Sequence, residues 1–346
     1  MTYELTEREK SILRYVIQQF ILTANPVGSR NIAKRYDIGL SPASIRNIMS
    51  DLEESGFLNH PHTSAGRVPT DKGYRFYVDS LMDPPNLQSI DKDLINSGLE
   101  AIHGDTDEML KITALLLTNI TSQLALVTYP KFEHAVLEKI QIVQLSSRRI
   151  LVVVTVESGF VKTITLEISV DIDMNSIRTV EQFLNERLSG LKFSEIRDTI
   201  TERVKDFNQD EYKPIIRVFL DSVNQLFADQ HITDKSFITG TKNILNHPEF
   251  EDREQFKGVI ELIEDKDIII HVTESTRTGD IDKVSITIGS ENRETRFSDY
   301  SIVTKEYKVG EATGTLGIIG PKRMEYSKIV ATVAYIAQLL SEELKQ

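Results

Sequence analysis

Cysteine is absent from the 346 residues, and with it go thiol catalysis, disulfides, iron-sulfur clusters and thiolate zinc sites. Long apolar runs are absent too: none approaches the ~18 residues that a bilayer-spanning helix requires, so no membrane segment is expected. The opening residues MTYELTEREK are charged and lack the apolar stretch of a signal peptide. Together these gaps lead to the expectation of a cytoplasmic protein of bacterial type. Low-complexity tracts and internal repeats are missing, and so are the signatures of catalysis. There is no His-Glu-x-x-His, no Gly-x-Ser-x-Gly, and no carboxylate pair that stands out from the 52 acidic residues. His103, His134, His231, His247 and His271 are scattered along the chain and read as surface or internally satisfied histidines. Neither an enzyme nor a metal or cofactor site is expected.

What the chain has in surplus is negative charge. The formal net charge of −12 argues against a protein coated in nucleic acid. It says little about one nucleic-acid-binding module within a larger acidic chain. Residues 1–82 hold ten Lys and Arg against nine Asp and Glu, so the excess acid lies downstream. Within that first stretch acids are absent from Ile38 to Ser50 and again from Phe57 to Thr70. The length exceeds the ~250 to 300 residues at which a single core stops growing, so two or three domains are expected.

Thr6 followed by Glu9 forms a capping-box pattern, and Ile12, Leu13, Val16, Ile17 and Phe20 then recur at helical spacing to about Thr23. Asn25-Pro26 breaks this first helix. Ser29 can cap a short second helix through Tyr36, and Asp37-Ile38-Gly39 makes a turn. Ser41 as N-cap with Pro42 behind it opens a third helix, which Gly56 closes. The loop NHPHTSAG between Phe57-Leu58 and Arg67-Val68-Pro69 suits a β-hairpin, and a fourth helix follows from Thr70 or Asp71. Three short helices and a hairpin read as a winged helix-turn-helix.

In the third helix Ile45, Ile48, Met49 and Leu52 share one face, which leaves Ala43, Arg46, Asn47 and Ser50 on the other. Arg can fork onto guanine, Asn can pair with adenine, and a small apolar side chain can meet a thymine methyl. The free amides at the Ser41 end favour a phosphate. Arg30, Lys34 and Arg35 on the second helix would hold phosphates, and His60, His62 and Arg67 of the hairpin can approach the backbone or minor groove. The bland alternative is a solvated polar face on a structural helix, and His60 with His62 could be read as two metal ligands. The candidate DNA contacts are Arg30, Lys34, Arg35, Ser41, Ala43, Ser44, Arg46, Asn47, Ser50, His62 and Arg67.

Beyond the Pro-containing stretch MDPPNLQSIDKD, one helix is expected at about 93–120. Strands follow at Leu124–Tyr129, Ala135–Leu145, Ile150–Val156 and Phe160–Ile168, forming an antiparallel meander. Helices run from about Asn175 to Ile263. Strands return at Ile268–Val272, Val284–Ile288, Ser301–Tyr307 and Thr315–Ile319 before a final helix from Glu325 to about Leu344. A sheet interrupted by helices and then resumed suggests an α+β domain with a helical insertion. Gly310, Gly314, Gly317 and Gly320 could suggest a phosphate loop, but no Gly-Lys-Ser/Thr follows, and tight turns beside strands are the reading. Arg323 and Tyr326 are expected to support packing between the last strand and the last helix. Ile215, Ile216, Phe219, Leu220, Val223, Leu226 and Phe227 form a broad apolar stripe that is either core of the same subunit or a dimer contact.

Three segments carry a resemblance. HPHTSAGRVPTDKGYRFYVD, VGSRNIAKRYDIGLSPASIRNIMSDLEESGFL and GTLGIIGPKRMEYSKIVATVAYIAQLL resemble, in this arrangement, the heat-inducible transcription repressor family HrcA. The likeness runs over essentially the whole chain, with about 190–250 alike only in pattern, and the glycines near the end look like the family's GPxRM signature. It implies a homodimer with an N-terminal winged helix at 1–82, a linker at 83–98, and a GAF-like α+β domain at 99–190 and 251–346. A mainly helical dimerisation domain would be inserted at 191–250, with Ile215, Ile216, Phe219, Leu220, Val223 and Phe227 at the subunit contact. It further implies double-stranded DNA carrying the inverted-repeat operator CIRCE upstream of chaperone operons, and activity that depends on the GroE chaperonin. A small-molecule-responsive regulator with the GAF-like domain as sensor is the alternative.

Overall fold

The computed structural model describes residues 4–61, 66–102, 106–132, 135–157, 161–169, 171, 173–206, 213–227, 236–250, 260–261, 264–276, 280, 282–310 and 312–344. The chain is mixed α and β and divides into two compact units. The first comprises Met1–Val127, Phe237–Glu306 and Leu316–Ala337, and the second Thr128–Ser236, Tyr307–Thr315 and Gln338–Gln346.

In the first unit α1 (Glu7–Thr23) starts at Thr6, whose hydroxyl accepts from the Glu9 N–H while the Glu9 carboxylate accepts from the Thr6 N–H at 2.7 Å. Two otherwise orphaned donors are thereby satisfied. Its buried stripe of Ile12, Leu13, Val16 and Ile17 meets Ile32 of α2 (Ser29–Arg35) and Ile45, Met49 and Leu52 of α3 (Pro42–Glu54). Antiparallel strands β1 (Leu58–Asn59) and β2 (Val68–Pro69) follow, then α4 (Asp71–Phe76), which runs into a π-helical turn at Tyr77–Leu81. A side chain at Gly73 would place its Cβ 2.2 Å from the Phe57 carbonyl oxygen, so only glycine lets α4 lie on the chain leaving α3.

The stretch expected as a linker and one helix is instead α5 (Ser89–Glu100), with Ile95 and Leu99 buried, and α6 (Thr106–Thr121). Gly98 of α5 lies against Leu116 of α6. The sheet of this unit has the order β7-β3-β10-β9-β8, with β3 (Leu124–Thr128), β7 (Ser236–Thr239), β8 (Ser285–Ile288), β9 (Tyr300–Val309) and β10 (Ala312–Pro321). Leu124–Val127 pairs antiparallel with Leu316–Ile319. The helical block expected to reach Ile263 thus contains a strand, β7, whose four residues are too few to show a period. Thr239 of β7 ties it to α6 by bonding the Ala114 carbonyl at 2.8 Å and Thr118 Oγ1 at 2.6 Å.

The expected strand Ile268–Val272 is a helix, α12 (Lys266–Ser275), after the short α11 (Thr241–Leu245). A short β-branched run is ambiguous by itself. Here Asp265 caps the Ile268 N–H at 3.1 Å, and Gly317 of β10 leaves room for Thr273, whose Cγ2 would lie 2.6 Å from an added Cβ. The closing helix α13 (Tyr326–Glu343) places the Tyr326 hydroxyl 2.7 Å from Ser301 Oγ on β9, so Tyr326 joins the last helix to the strand before the last. Arg323 does something else: it donates to the Ile21 carbonyl of α1 at 2.7 Å and pairs with Glu249.

The second unit holds the meander β4 (Leu137–Ser146), β5 (Arg149–Val156) and β6 (Val161–Glu167), a separate three-stranded sheet. The strand pattern joins Leu124–Tyr129 to this meander and the meander to the later strands. The pairing separates them, because β3 finds its partner in β10. One meander face is covered by α7 (Met174–Leu188), α8 (Phe193–Arg203), α9 (Lys213–Asp221) and α10 (Val223–Phe227) in a single apolar core. The second compact unit thus takes in Thr128–Ser236, strands included. The β4 edge is closed by side chains of α7: Asn185 exchanges two hydrogen bonds with the Ile140 backbone at 2.7 and 2.8 Å, and Glu181 accepts from the Ile142 N–H at 2.7 Å.

Of the two readings of the apolar stripe, the packing within this chain is that of core. Ile215, Ile216, Phe219, Val223 and Phe227 are buried in this core with Leu220 packed against it, and Phe227 meets Phe193 and Phe219 edge-on at 5.2 and 6.0 Å. A helix packed on two sides looks the same in sequence whichever chain supplies the second side. Phe227→Ala should cost about 3 to 5 kcal/mol of stability. In urea unfolding the loss relative to the parent should be equal at two protein concentrations; a concentration-dependent loss would return the ring to a subunit contact.

Candidate nucleic-acid interface

The rotation of α3 is set by what it buries. Ile45, Met49 and Leu52 are at most 3% exposed, and Ile48 is half-buried, so Ala43, Ser44, Arg46 and Asn47 stand on the exposed side with Ser50 half-exposed. Ser41 caps the helix by accepting from the Ser44 N–H at 3.1 Å, its hydroxyl 3.0 Å from that of Ser44. Pro42 at the first helical turn has no N–H to leave unsatisfied. The remaining free amides and two hydroxyls gather at this exposed end, where the helix dipole favours an anion.

Arg30, Lys34 and Arg35 are exposed on α2. Gly39, at φ +67°, turns the chain from α2 into α3, and Tyr36 at the end of α2 stacks on Tyr15 of α1 with ring centroids 4.1 Å apart. Burial pushes the Tyr36 phenol above its ordinary value. Among the described residues none of Arg30, Lys34, Arg35 and Arg46 is held in an ion pair.

Arg67 departs from the sequence reading. Its side chain is 16% exposed, with Nε 2.7 Å from Glu53 Oε2 and Nη1 donating to His60 Nδ1 at 2.9 Å. Its backbone pairs with Val27 through two hydrogen bonds of 2.8 and 2.9 Å. Arg67 thus fastens the β1–β2 ribbon to α3 and to the α1–α2 connection, and neutralises an acid beside the exposed face of α3. A lone Arg in an acid-poor stretch gives no hint that its partner is Glu53, fourteen positions earlier. His62 lies outside the described residues. The structure brings Arg30, Lys34, Arg35, Ser41, Ala43, Ser44, Arg46 and Asn47 to exposed positions on two consecutive helices, with Ser50 at the margin.

Among the described residues no group of three or more His, Asp and Glu could hold a metal ion, and no helix is long and apolar enough to cross a membrane. A family model described as HrcA protein C terminal domain matches residues 107–330. The chain is 40% identical to the heat-inducible transcription repressor HrcA of Chlorobium phaeobacteroides (strain BS1), with 99% of each chain covered. It is 42% identical to the protein of the same description from Chlorobaculum parvum, covering 99% of this chain and 98% of the relative. Among solved structures it is similar to a crystal structure of a hypothetical protein, with a TM-score of 0.61 and 21% identity over 99% of both chains. At that identity the likeness concerns the fold alone.

Proposed function

Because the chain belongs to the HrcA family of heat-inducible transcription repressors, we propose that α1 to α4 with the β1–β2 ribbon are a winged helix-turn-helix that inserts α3 into double-stranded DNA. Negative regulation of heat-shock genes is the activity of this family of repressors, and catalysis has no part in it. The observation that carries the DNA reading is the pair Arg46 and Asn47, adjacent, exposed and without ion pairs on a helix whose rotation the core locks. Arg46 has the donors for guanine O6 and N7, and Asn47 the donor and acceptor for adenine N6 and N7. Arg30, Lys34 and Arg35 hold phosphates, as does the Ser41 end of α3.

A two-fold operator such as the inverted repeat CIRCE requires two copies of the module. With the Ile215–Phe227 stripe used up in the core, the surface offered to a second copy is the outer face of the meander. There Val143, Leu145 and Val161 are 47%, 51% and 56% exposed beside half-buried Leu151 and Val153. The first unit's sheet with α5, α6, α12 and α13 is read as the GAF-like domain. Dependence on the GroE chaperonin is supported by topology: β3 lies between β7 and β10, and its second neighbour is made only almost at the end of the chain. Such non-local pairing folds slowly and leaves apolar strands exposed in the meantime.

Three outcomes test these readings. In fluorescence anisotropy Arg46→Ala should cost ~1 to 3 kcal/mol on the cognate site and blur one base pair, whereas Lys34→Ala should weaken all sequences alike and flatten the salt dependence. Equal losses for Arg46→Ala on cognate and random DNA would remove it from base reading. Sedimentation of Val143→Asp with Leu151→Asp should give a folded monomer; an intact dimer moves the contact elsewhere. Titration of the DNA-competent fraction with and without chaperonin and nucleotide should show the fraction rising at constant affinity, and an unchanged fraction rules chaperonin dependence out.

A further inference from the structure

Successive residues of one short segment grip two different partners. Toward α3, the Thr70 hydroxyl donates to the Gly56 carbonyl at 2.7 Å, Lys72 donates to the Ser55 carbonyl at 2.7 Å with its ammonium 4.2 Å from the centre of the Phe57 ring, and Gly73 abuts the Phe57 carbonyl. Toward the sheet, the Asp71 carboxylate accepts from the Ser290 N–H at 2.9 Å and from the Lys322 ammonium at 2.8 Å. Tyr74 packs on Tyr326 with ring centroids 6.2 Å apart. Arg75 pairs with both oxygens of Glu291 and donates to the Ile286 carbonyl at 2.7 Å. All these residues lie within the first compact unit.

The sheet side is shaped for this contact. Gly289 sits at φ +56°, and a Cβ there would come within 2.2 Å of the Asp71 carboxylate, so a side chain is excluded on two counts. Glu291, besides holding Arg75, accepts from the Ile288 N–H at 2.8 Å, which fixes the carboxylate before any partner arrives. Burial works against the Asp71 charge, but the Lys322 ammonium and the Ser290 N–H outweigh it and hold the carboxyl below its ordinary value. Arg323, on the Ile21 carbonyl of α1, adds a grip on the first helix.

Resting on the DNA reading above, we propose that Asp71, Arg75, Glu291 and Lys322 are positioning residues: an ionic clamp that fixes the direction in which α3 is presented and thereby the half-site spacing that a pair of chains accepts. None of the four belongs to the exposed face of α3 or α2. Their side chains are 27–34% exposed, so the clamp is accessible to salt. It acts through α4, whose opposite grip on Ser55, Gly56 and Phe57 carries the orientation to the end of α3.

Because the chain has no cysteine, Glu54→Cys and Ser298→Cys, both at exposed positions, give two spin labels that report the clamp without DNA. The distance distribution between them should be narrow in the parent and broaden on Glu291→Gln, on Lys322→Gln, and on raising salt in the parent itself, which needs no variant to fold. On DNA, the parent should lose at least about tenfold in affinity when the spacer between half-sites grows by ~2 base pairs, a rotation of roughly 70°. The variants should lose less than about threefold while binding a single half-site as the parent does. Label distances unmoved by both substitutions and by salt overturn the clamp, and broadened distances with parental spacing dependence overturn its positioning role. A parent that binds no half-site refutes the DNA reading instead, and the label distances still decide the clamp.

Discussion

The pairing of Leu124–Val127 with Leu316–Ile319 is the constraint from which the rest of the architecture follows. The two segments are nearly 200 positions apart, and the chain after β3 leaves the sheet until β7 rejoins it at Ser236. The excursion is long enough to build its own core, and it does so with a meander and helices α7 to α10. The same pairing explains why glycines gather in β10. Gly317 admits Thr273 of α12, and Gly320 approaches the Gln123 side chain, positions where a Cβ would collide with the covering layer. Loop closure over such a distance is entropically slow to achieve, though its cost grows only gently with length once it is made.

Local chemistry was legible in the sequence and long-range partnership was not. The Thr6–Glu9 box, the Ser41-Pro42 start and the Gly39 turn are decided within a few residues, and the helices they delimit stand where the spacing predicts them. The exposed face of α3 follows from its buried face by geometry alone. Ile268–Val272 misled because three consecutive isoleucines satisfy a strand as well as a helix buried on most sides, and the deciding facts, the Asp265 cap and the vacancy at Gly317, lie outside the run. The meander carried no mark of which sheet it would join. The stripe from Ile215 to Phe227 was correctly apolar, but periodicity reports burial without saying against what.

Charge is arranged so that an acidic chain can present a basic face. Glu53 points its carboxylate at Arg67, and Asp71 is taken up by Lys322 and a backbone N–H, so these two acids beside α3 and the ribbon are compensated from within. Arg30, Lys34, Arg35 and Arg46 are left without such partners among the described residues. Over a Debye length of ~10 Å at moderate salt, these cations weigh more on the field at α2 and α3 than the net charge of the whole chain does.

The side chains of Asn185 and Glu181 occupy the backbone groups of β4 that would otherwise receive another strand. An unprotected sheet has two edges and can be extended in both directions, which is the geometry of a filament. With one edge plugged, the sheet cannot be extended in both directions, and strand-to-strand polymerisation through it is blocked, a safeguard for a protein whose unpaired strands wait long for their partners.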